Sequence, residues 1–491
     1  MTESRGPKVF RDPIHQLIAL DRSPLGHPDE PESFGDSLLL ALIDSPEMQR
    51  LRRIRQLGPA NRIYPAAEHS RFSHSLGVMH LARRILGLLL HQDPALFTPL
   101  EVVAVKCCAL LHDVGHGPYS HTFEHVLPDA PRHENWGWSL LSGETALGAR
   151  LRDLPPESAL DPDRLRDTMA GVWGLRPPRG GEGVGRQIIA SQLDADRLDY
   201  LLRDAHFTGV GYGLFDLEWL LHSLKVGEIA GEKRLCVDID RGPAALESYI
   251  AARDNMYRQV YDHKTVRAFE CLILHLFKAV GRVREELGHW PTGTPPALER
   301  YLENPDIPAF LALDDAVVEY ATGYWAGLDP ETAAPAMAEL IWKSGLLRHR
   351  QPLYRRMRWQ CEQGVPSDII VEAQAVEALD TFCRSQADTL LEAPLPGKPQ
   401  HRAPLRLLAT LDRVDRAPYA HLQYASDGHA PIYALCGGEV KPAEEVSPLI
   451  HFLGQNRRQW ARLFVDPRAM PALAALLRRE SPHPALCPHQ P

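Results

Sequence analysis

The sequence of 491 residues lacks several features that would each indicate a particular class of protein. No run approaches the length of a membrane span: the apolar stretch LARRILGLLLH is too short and is interrupted by arginines. Its eight cysteines form no CxxC pair, which argues against a zinc ribbon or a disulfide scaffold and favours reduced, buried thiols. The first ten residues, MTESRGPKVF, have no apolar signal-peptide core. We therefore expect a cytoplasmic protein with no membrane partner.

The sequence also has no excess of positive charge. The formal net charge is −9, which argues against a globally basic nucleic-acid-binding protein. Local arginine clusters are still compatible with a polyanionic ligand. The chain is 44% hydrophobic and 24% charged, as expected of a globular protein long enough for one large core and smaller satellites.

One segment concentrates polar side chains at the end of an apolar run. In CCALLHDVGHGPYSH (107–121), the run Cys107 to Leu111 predicts a buried helix that ends at His112 and Asp113, where glycines follow. His116 and His121 come within the next two turns. Capping by Asp113 and a solvated loop of histidines is the alternative, but four such residues within ten positions favour a metal or anion site.

Two further stretches supply residues of the same chemical type. A helix predicted over 68–91 carries His74 near its start, and an apolar helix predicted over 186–207 carries Asp196. A surface histidine and a salt-bridged surface face are the alternatives for these two stretches. Taken with His112 and Asp113, they make a mixed nitrogen and oxygen ligand set, which suits Mn²⁺, Fe²⁺, Ni²⁺ or Mg²⁺ better than a thiolate-type structural zinc site.

Other patterns predict the elements around these residues. We expect a short strand or hairpin over 8–21. We also expect a helix over 46–57, where Leu51, Ile54 and Leu57 face inward and the arginines form one exposed stripe for an anionic ligand or a subunit partner. Positions 145–185, rich in proline and glycine, predict a loop. The remaining expectations are a strand over 234–240, a helical region over 243–285, short strands from about 403 and a final helix over 469–479.

Six blocks of sequence resemble one known family. The chain resembles the HD-domain phosphohydrolase superfamily and, within it, the deoxynucleoside triphosphate triphosphohydrolases: the bacterial dGTPase-like enzymes and the animal SAM-and-HD-domain dNTPase. The resemblance is good over residues 8–285 and faint beyond them, and we expect no SAM domain. The blocks, in the family's order, are DPIHQLIAL, SPEMQRLRRIRQLG, RFSHSLGV, LLHDVGHGPYSH, DADRLDYLLRDAHFTGV and YDHK.

The resemblance implies a metal-dependent reaction in which water attacks the α-phosphorus and releases deoxynucleoside and intact tripolyphosphate. The implied cofactor is a divalent metal ion (Mn, Fe, Mg or Ni, with Zn less favoured). The implied ligands are His74, His112, Asp113 and Asp196. The implied catalytic residues, which lie beside the α-phosphate as proton donor or orienting groups, are His116, His121 and the neighbouring His133.

The resemblance also implies a binding site for a dNTP substrate. Arg71, Arg197 and Arg253 would hold the triphosphate. Many relatives have Lys in place of Arg197, so the grip on phosphate differs here. The residues implied to contact the sugar are Gln56, Tyr200 and Asp204 at the 3′-hydroxyl, and Leu57 and Tyr261, which would crowd the 2′ position and exclude ribose.

A nucleotide effector between subunits is a further implication, and with it a homo-oligomer. The matching positions are Lys8, Val9, Asp44, Gln49 and Arg52. Their alternative role is to brace a dimer interface. The basic segment 348–359 is a further candidate for binding nucleotide or single-stranded nucleic acid.

We therefore expect a mainly α fold with an HD-domain helical core and a small α+β region near the C-terminus. The expected domains are an N-terminal segment plus core (1–285), a helical extension (286–402) and the α+β region (403–491). Two other functions stay open. One is an HD phosphohydrolase that acts on a nucleotide monophosphate or a nucleic-acid end, and the other is a non-catalytic nucleotide sensor.

Overall fold

The structure is a computed structural model. It describes residues 6–349 apart from 24, 28, 29 and 128, residues 431–455, and the short strands between 355 and 465 that are given below. The helix expected over 469–479 and most of the basic segment 348–359 lie outside the described residues. Among the described helices, none is long and apolar enough to cross a membrane.

The N-terminal part is a β-hairpin, as its alternating sequence predicts. Strands β1 (Lys8–Asp12) and β2 (Gln16–Leu20) pair in antiparallel register, with Lys8 opposite Leu20. The carboxylate of Asp12 closes the turn, because its Oδ1 accepts hydrogen bonds from the backbone N–H groups of Ile14 and His15, both at 2.9 Å. One aspartate thus fixes the geometry of the turn.

Helices form most of the described structure. The long helix α3 and the following helix α4 are largely buried, and α4 begins with a capping box in which Thr98 and Glu101 satisfy each other's backbone N–H groups. The helices are α1 (Asp36–Ile43), α2 (Pro46–Arg50), α3 (Arg71–Gln92), α4 (Pro99–Leu111), α5 (His133–Ser142), α6 (Ala146–Arg152), α7 (Pro162–Trp173), α8 (Glu182–Ile189), α9 (Ala195–Thr208), α10 (Leu217–His222), α11 (Pro243–Met256), α12 (Lys264–Leu287), α13 (Pro296–Glu303), α14 (Ile307–Leu311), α15 (Asp315–Trp325), α16 (Pro335–Arg348), α17 (Ala443–Val446) and α18 (Pro448–Gln455).

The expected arginine-bearing helix over 46–57 is wrong in length. Helix α2 ends at Arg50, a 3₁₀ turn follows, and Ile54 is already extended. Arg55 then forms a β-bridge with Ser70, which draws this stretch alongside the start of α3. Arg50 is only 2% exposed, so the arginines do not form one solvated stripe.

The expected loop over 145–185 is also wrong, because it contains α6, α7 and the start of α8. Its polar residues and prolines act as helix caps. Thr145 and Asp161 each accept a hydrogen bond from the backbone N–H three residues later, and Pro162 occupies the first turn of α7. Gly174 ends α7 at a φ of 92°, in the left-handed region.

The helix expected over 186–207 is interrupted. Helix α8 ends at Ile189 and α9 begins at Ala195, with Asp194 as its N-cap. The Asp194 carboxylate accepts hydrogen bonds from the backbone N–H groups of Arg197 and Ser191, both at 2.7 Å. This cap stabilises the break and places Asp196 in the first turn of α9.

Strands are few, and the main sheet contains four of them in the order β12-β11-β4-β3. They are β3 (Leu224–Ile229), β4 (Glu232–Asp238), β11 (Tyr433–Cys436) and β12 (Glu439–Pro442), with only β11 and β4 parallel. The others are β5 (Arg355–Arg356), β6 (Trp359–Gln360), β7 (Pro366–Ser367), β8 (Glu392–Leu395), β9 (Lys398–Pro404), β10 (Ala409–Arg416) and β13 (Arg458–Val465). The mainly α fold with a small α+β region near the C-terminus is thereby confirmed.

The chain packs as two compact units, each made of separate stretches of sequence. The first unit contains Met1–Ser120, Ala130–Arg258 and Ala417–Asn456. The second unit contains His121–Asp129, Gln259–Arg416 and Arg457–Pro491. The domain boundaries expected near 285 and 402 stay predictions about which parts fold independently.

Candidate active site

The His-Asp pair of the sequence lies where the buried helix α4 ends. His112 is the C-terminal cap of α4, and the residues from Val102 to Leu111 are buried. The chain then turns sharply, because the backbone N–H of His116 donates to the carbonyl of Asp113 at 3.0 Å. The helix end predicted at His112 and Asp113 is thus confirmed.

Three helices of the first unit bring four polar side chains together. His74 lies in the first turn of α3, His112 and Asp113 follow α4, and Asp196 lies in the first turn of α9. His74 Nε2 lies 3.0 Å from Asp196 Oδ1, 3.3 Å from His112 Nε2 and 3.6 Å from Asp113 Oδ2. We call these four residues the His–Asp cluster.

Both imidazoles of the His–Asp cluster are oriented through their Nδ1 atoms. His74 Nδ1 donates to the carboxylate of Asp199 at 2.8 Å, and His112 Nδ1 donates to the carbonyl of Ala109 at 2.9 Å. In each ring Nε2 is therefore the atom that faces the carboxylates. Histidines that bind metals are commonly held in this way by a hydrogen bond at the other ring nitrogen.

The donor set fits a divalent metal ion. His74, His112 and Asp196 offer ligand atoms that all lie within 4.8 Å of one another, and Asp113 adds a second carboxylate beside them. Two imidazole nitrogens and two carboxylate oxygens suit Mn²⁺, Fe²⁺, Ni²⁺ or Mg²⁺, while thiolates are not among the donors. The His–Asp cluster can therefore hold such an ion.

The His–Asp cluster also attracts positive charge. Burial by itself would lower the pKa of His74, but hydrogen bonds to Asp196 and Asp199 and the charges of Asp199 and Asp113 raise it to about 10. Burial likewise opposes ionisation of Asp196, but hydrogen bonds to His112 and His74 hold its pKa well below the usual range. A metal ion would take the place of the proton that His74 otherwise retains.

Arg71 and two further histidines lie beside the His–Asp cluster. The Arg71 guanidinium donates to the carboxylate of Asp113 and, at 2.8 Å, to the hydroxyl of Ser120. His116 Nε2 lies 3.2 Å from Asp113 Oδ1, and the His116 ring stacks on His133 at 4.0 Å between centroids. Burial, together with the charges of Arg71 and His133, holds the pKa of His116 well below its ordinary value, so this imidazole is neutral at pH 7.

Arg197, Tyr200 and Arg253 are three further residues that we expect to bind the substrate. The Arg197 guanidinium donates to the carbonyl of Ser191 and to Asp194, and the Tyr200 hydroxyl lies 3.4 Å from that of Tyr257. The Arg253 guanidinium lies 5.9 Å from the centroid of the same Tyr257 ring. Arg197, Tyr200 and Arg253 thus belong to the first unit together with the His–Asp cluster, and their contacts with a nucleotide stay predictions.

Asp204 and two residues before α3 complete this group in the first unit. Asp204 is buried and its Oδ1 lies 2.8 Å from His69 Nε2. Gln56 and Leu57 follow the β-bridge at Arg55, and the backbone N–H of Gln56 donates to the carbonyl of His69 at 3.0 Å. Hydrogen bonds to His69 thus connect the stretch before α3 with α9.

His121 and Tyr261 belong to the second unit. His121 Nδ1 lies 3.0 Å from Glu124 Oε1, and the His121 side chain is largely exposed. The roles expected for both residues stay predictions.

Two of the five residues expected to bind a nucleotide effector, Gln49 and Arg52, are in contact with each other. Lys8 and Val9 lie on β1, where Val9 is 48% exposed, and Asp44 caps the end of α1. Gln49 accepts a hydrogen bond from Arg52 at 2.7 Å and donates to the carbonyl of Ile43 at 2.7 Å. These contacts bring Gln49 and Arg52 together near the end of α1, and the effector role stays a prediction.

The sequence did not predict three residues that hydrogen-bond to side chains of this site, namely Asp199, His15 and His69. Asp199 was not predicted as a site residue, although it lies three positions after Asp196 and therefore shares a face with it. His15 and His69 were not identified as site residues. The DPIH block contained the signal for His15, but its partner lies 184 positions away in the sequence.

Comparison with known proteins agrees with this geometry. The profile of the HD domain matches residues 71–203, which include the whole His–Asp cluster. The chain is 33% identical over 319 residues to the uncharacterized protein YwfO of Bacillus subtilis, covering 65% of this chain and 66% of that protein. It is 30% identical over 326 residues to an uncharacterized MG461 homolog of Mycoplasma pneumoniae, covering 63% of this chain and 71% of that protein.

The chain is also similar to a relative whose activity is named and, separately, to a protein of known structure. The chain is 29% identical over 293 residues to the deoxynucleoside triphosphate triphosphohydrolase SAMHD1 of Danio rerio, covering 55% of this chain and 44% of that protein. It therefore spans less than half of that relative. The crystal structure of a phosphohydrolase from Bacteroides thetaiotaomicron matches 94% of this chain and 100% of that chain, at 23% identity and a TM-score of 0.67, which shows a shared fold.

Proposed function

This chain belongs to the HD-domain phosphohydrolase superfamily, and we propose that it hydrolyses deoxynucleoside triphosphates to deoxynucleoside and tripolyphosphate in a metal-dependent reaction. The observation that carries the proposal is the convergence of His74, His112, Asp113 and Asp196, with Arg71 and His116 in contact with Asp113. Likeness to a relative named as a dNTP triphosphohydrolase supports this choice of substrate.

The His–Asp cluster would hold the metal ion. When bound, the ion would supply a Lewis acid that polarises a phosphoryl oxygen and activates water. The protein's contribution is to keep four donors in place before the ion arrives, because Asp199 fixes His74 and the Ala109 carbonyl fixes His112. Ligands that are already oriented lose little conformational freedom on binding.

Arg71 would neutralise charge on the triphosphate. It is 3% exposed and is fixed by Asp113 and Ser120, so its guanidinium is rigid before a substrate binds. A cation that needs no reorganisation stabilises a charged transition state more effectively than a mobile one. Because a triphosphate carries several negative charges, we assign Arg197 and Arg253 to its other phosphates.

His116 would act as an orienting group. Its imidazole is neutral at pH 7 because Arg71 and burial disfavour the charged form, so it is a weak proton donor in the protein alone. His116 Nε2 donates to Asp113, and the stacked ring of His133 fixes the plane of the imidazole. We propose His121 as the proton donor, the role that the family resemblance implies for it.

The remaining parts of the proposal concern partners. We propose a dNTP as substrate, a nucleotide effector near Lys8, Val9, Asp44, Gln49 and Arg52, and a homo-oligomer in the cytoplasm. The hydrogen bonds that group Gln49, Arg52 and the end of α1 support a binding role for this region.

The direct test is turnover by the purified protein with each dNTP and Mn²⁺, with GTP present to fill an effector site. We expect hydrolysis of at least one dNTP and its loss in the variant His112→Ala/Asp113→Ala. Circular dichroism of the variant separates loss of the site from loss of the fold. No turnover of any dNTP by the wild-type protein would contradict the proposal.

A further inference from the structure

The carboxylate of Asp199 lies directly behind the His–Asp cluster and is fully buried. Its Oδ2 is 2.8 Å from His74 Nδ1 and 2.8 Å from Arg203 Nε. Its Oδ1 is 2.7 Å from His15 Nε2 and 2.9 Å from Arg203 Nη2. A carboxylate offers about four lone-pair sites, and here all four have a nitrogen within hydrogen-bond distance.

This arrangement determines which nitrogen of His74 carries a proton. Because Asp199 is paired with the charged Arg203, its carboxylate can only accept hydrogen bonds. His74 Nδ1 must therefore be the donor, and the lone pair of a neutral His74 ring is on Nε2. Since Nε2 faces Asp196 and His112, Asp199 selects the tautomer that a metal ion needs.

Two residues of the N-terminal hairpin connect to the Asp199 carboxylate, one directly and one through Arg203. His15, in the hairpin turn, contacts Asp199 directly. Asp12, at the end of β1, accepts from Arg203 Nη1 at 2.8 Å and from Nη2 at 3.2 Å, and Arg203 in turn holds Asp199. Asp12 also closes the hairpin turn, so the turn, Arg203 and Asp199 form one continuous set of hydrogen bonds, of which those made by Arg203 are buried.

We propose that Asp199 is a positioning residue for His74, and that the hairpin residues Asp12 and His15, acting through Arg203 and Asp199, are required for full metal affinity of the His–Asp cluster. The proposal rests on the metal site proposed above, but it does not depend on the identity of the substrate. It extends the site to a segment that lies about 60 residues before its first ligand in the sequence.

The test is a calorimetric titration of the metal-free protein with Mn²⁺. In Asp199→Asn, the N–H groups of the side-chain amide face N–H donors of Arg203 or His15. The hydrogen bonds that the Asp199 carboxylate accepts therefore cannot all form. Loss of a group that orients a ligand typically weakens metal affinity by about 10- to 100-fold, and we expect a loss in this range. For His15→Leu, which removes the Nε2 donor of the hairpin and leaves Asp199 in place, we expect a smaller loss of about 3- to 10-fold.

A control variant lies on α10, where Glu218 pairs with an arginine of the helix that carries His74. Glu218→Gln removes an exposed ion pair in which Arg84 on α3 donates to Glu218 on α10 at 2.9 Å. We expect its Mn²⁺ affinity to equal that of the wild-type protein. Visible absorption of Co²⁺-loaded protein gives a second readout, since a reoriented His74 changes the ligand field, and we expect altered bands in Asp199→Asn but not in Glu218→Gln.

The possible results separate this proposal from the proposed function. Unchanged Mn²⁺ affinity and Co²⁺ spectra in both Asp199→Asn and His15→Leu would overturn the positioning role, even if both variants unfold at lower temperature. If Asp199→Asn does not fold, His15→Leu decides alone. Weaker metal binding in a protein that hydrolyses no dNTP would support the positioning role and contradict the proposed function.

Discussion

Gly77 on α3 and Asp199 on α9 approach each other so closely that a Cβ atom at position 77 would lie 1.9 Å from Asp199 Oδ1. The same atom would lie 2.5 Å from Arg203 Nη2. Gly77 follows His74 by three residues and therefore faces the same side of α3. The absence of a side chain at this position allows α9 to bring Asp196 and Asp199 up to His74.

The first prediction concerns this close approach. Gly77→Ala should push Asp199 and Arg203 away from α3, at a cost of about 1–3 kcal/mol in the free energy of unfolding. Because Asp199 orients His74, Mn²⁺ affinity measured by calorimetry should fall as well. Gly87→Ala, on the same helix, is the matched control, since its Cβ would meet only the flexible end of Glu32 at 3.2 Å. Equal effects of the two substitutions would contradict this account of Gly77.

A second prediction concerns Gly115, which lies between Asp113 and His116. A Cβ atom there would lie 2.0 Å from the carbonyl oxygen of His133 and 2.4 Å from the backbone nitrogen of Gly137. These are backbone atoms of α5, so Gly115→Ala must displace the helix that presents His133 to His116. We expect a fall in kcat of at least about tenfold, as for lost positioning of a catalytic group. Gly211→Ala, which meets no atom within 4 Å, should keep wild-type kcat.

A third prediction concerns Lys106, a fully buried lysine in α4. Its Nζ donates to Asp36 Oδ1 at 2.7 Å and to the carbonyls of Glu32 and Phe34 at 2.6 and 2.7 Å. Lys106→Met would leave these acceptors buried without their donor, so urea denaturation should show a loss of about 3–5 kcal/mol. Lys233→Met, which removes a half-exposed pair with Asp93, should cost under about 1 kcal/mol. A comparable small loss for Lys106→Met would refute the role of Lys106 as a buried anchor.

A fourth prediction concerns pH and the partly buried His80. Burial, followed by the charges of His15, Arg84 and Arg83, lowers the pKa of His80 to about 4, and the charge of Asp12 opposes this only weakly. In the unfolded chain the imidazole titrates near its ordinary pKa of 6.5. Between these values the unfolded state binds more protons, so stability falls as pH decreases from about 6.5 towards 4.

The expected contribution of His80 between pH 7.5 and pH 5.0 is on the order of 2 kcal/mol. Urea denaturation at both values should show that His80→Asn loses less stability on acidification than the wild-type protein. Because the stability of each protein is compared between the two pH values, effects of the substitution that do not depend on pH cancel. The same pH-dependent loss in both proteins would show that His80 does not contribute.

Part of this structure could be predicted from sequence, for identifiable reasons. The end of α4 at His112 and Asp113 follows from an apolar run with glycines after it, which is a local signal. The hairpin at 8–20 likewise follows from local alternation and the turn residues Asp12 and Pro13. The grouping of the four cluster residues on one site came from the family resemblance, because no local pattern relates His74 to Asp196.

The errors have physical causes as well. Positions 145–185 were expected to be a loop because their prolines and glycines were counted as helix breakers, whereas Pro162 and Gly174 lie at the ends of a helix, where these residues are favourable. The helix expected over 46–57 ends early because Arg55 pairs with Ser70, a contact with no signal in either segment. The link from His15 to Asp199 was missed because the two residues lie 184 positions apart in the sequence.

The measurement that most directly tests the central claim is product analysis in ¹⁸O-labelled water with Mn²⁺ and the preferred dNTP. Attack at the α-phosphorus with release of the 5′-oxygen predicts unlabelled deoxynucleoside and tripolyphosphate that contains one ¹⁸O atom. Both products should disappear in His112→Ala/Asp113→Ala. Deoxynucleoside monophosphate and pyrophosphate as products, or activity that survives in this variant, would contradict the claim that the His–Asp cluster is a triphosphohydrolase site.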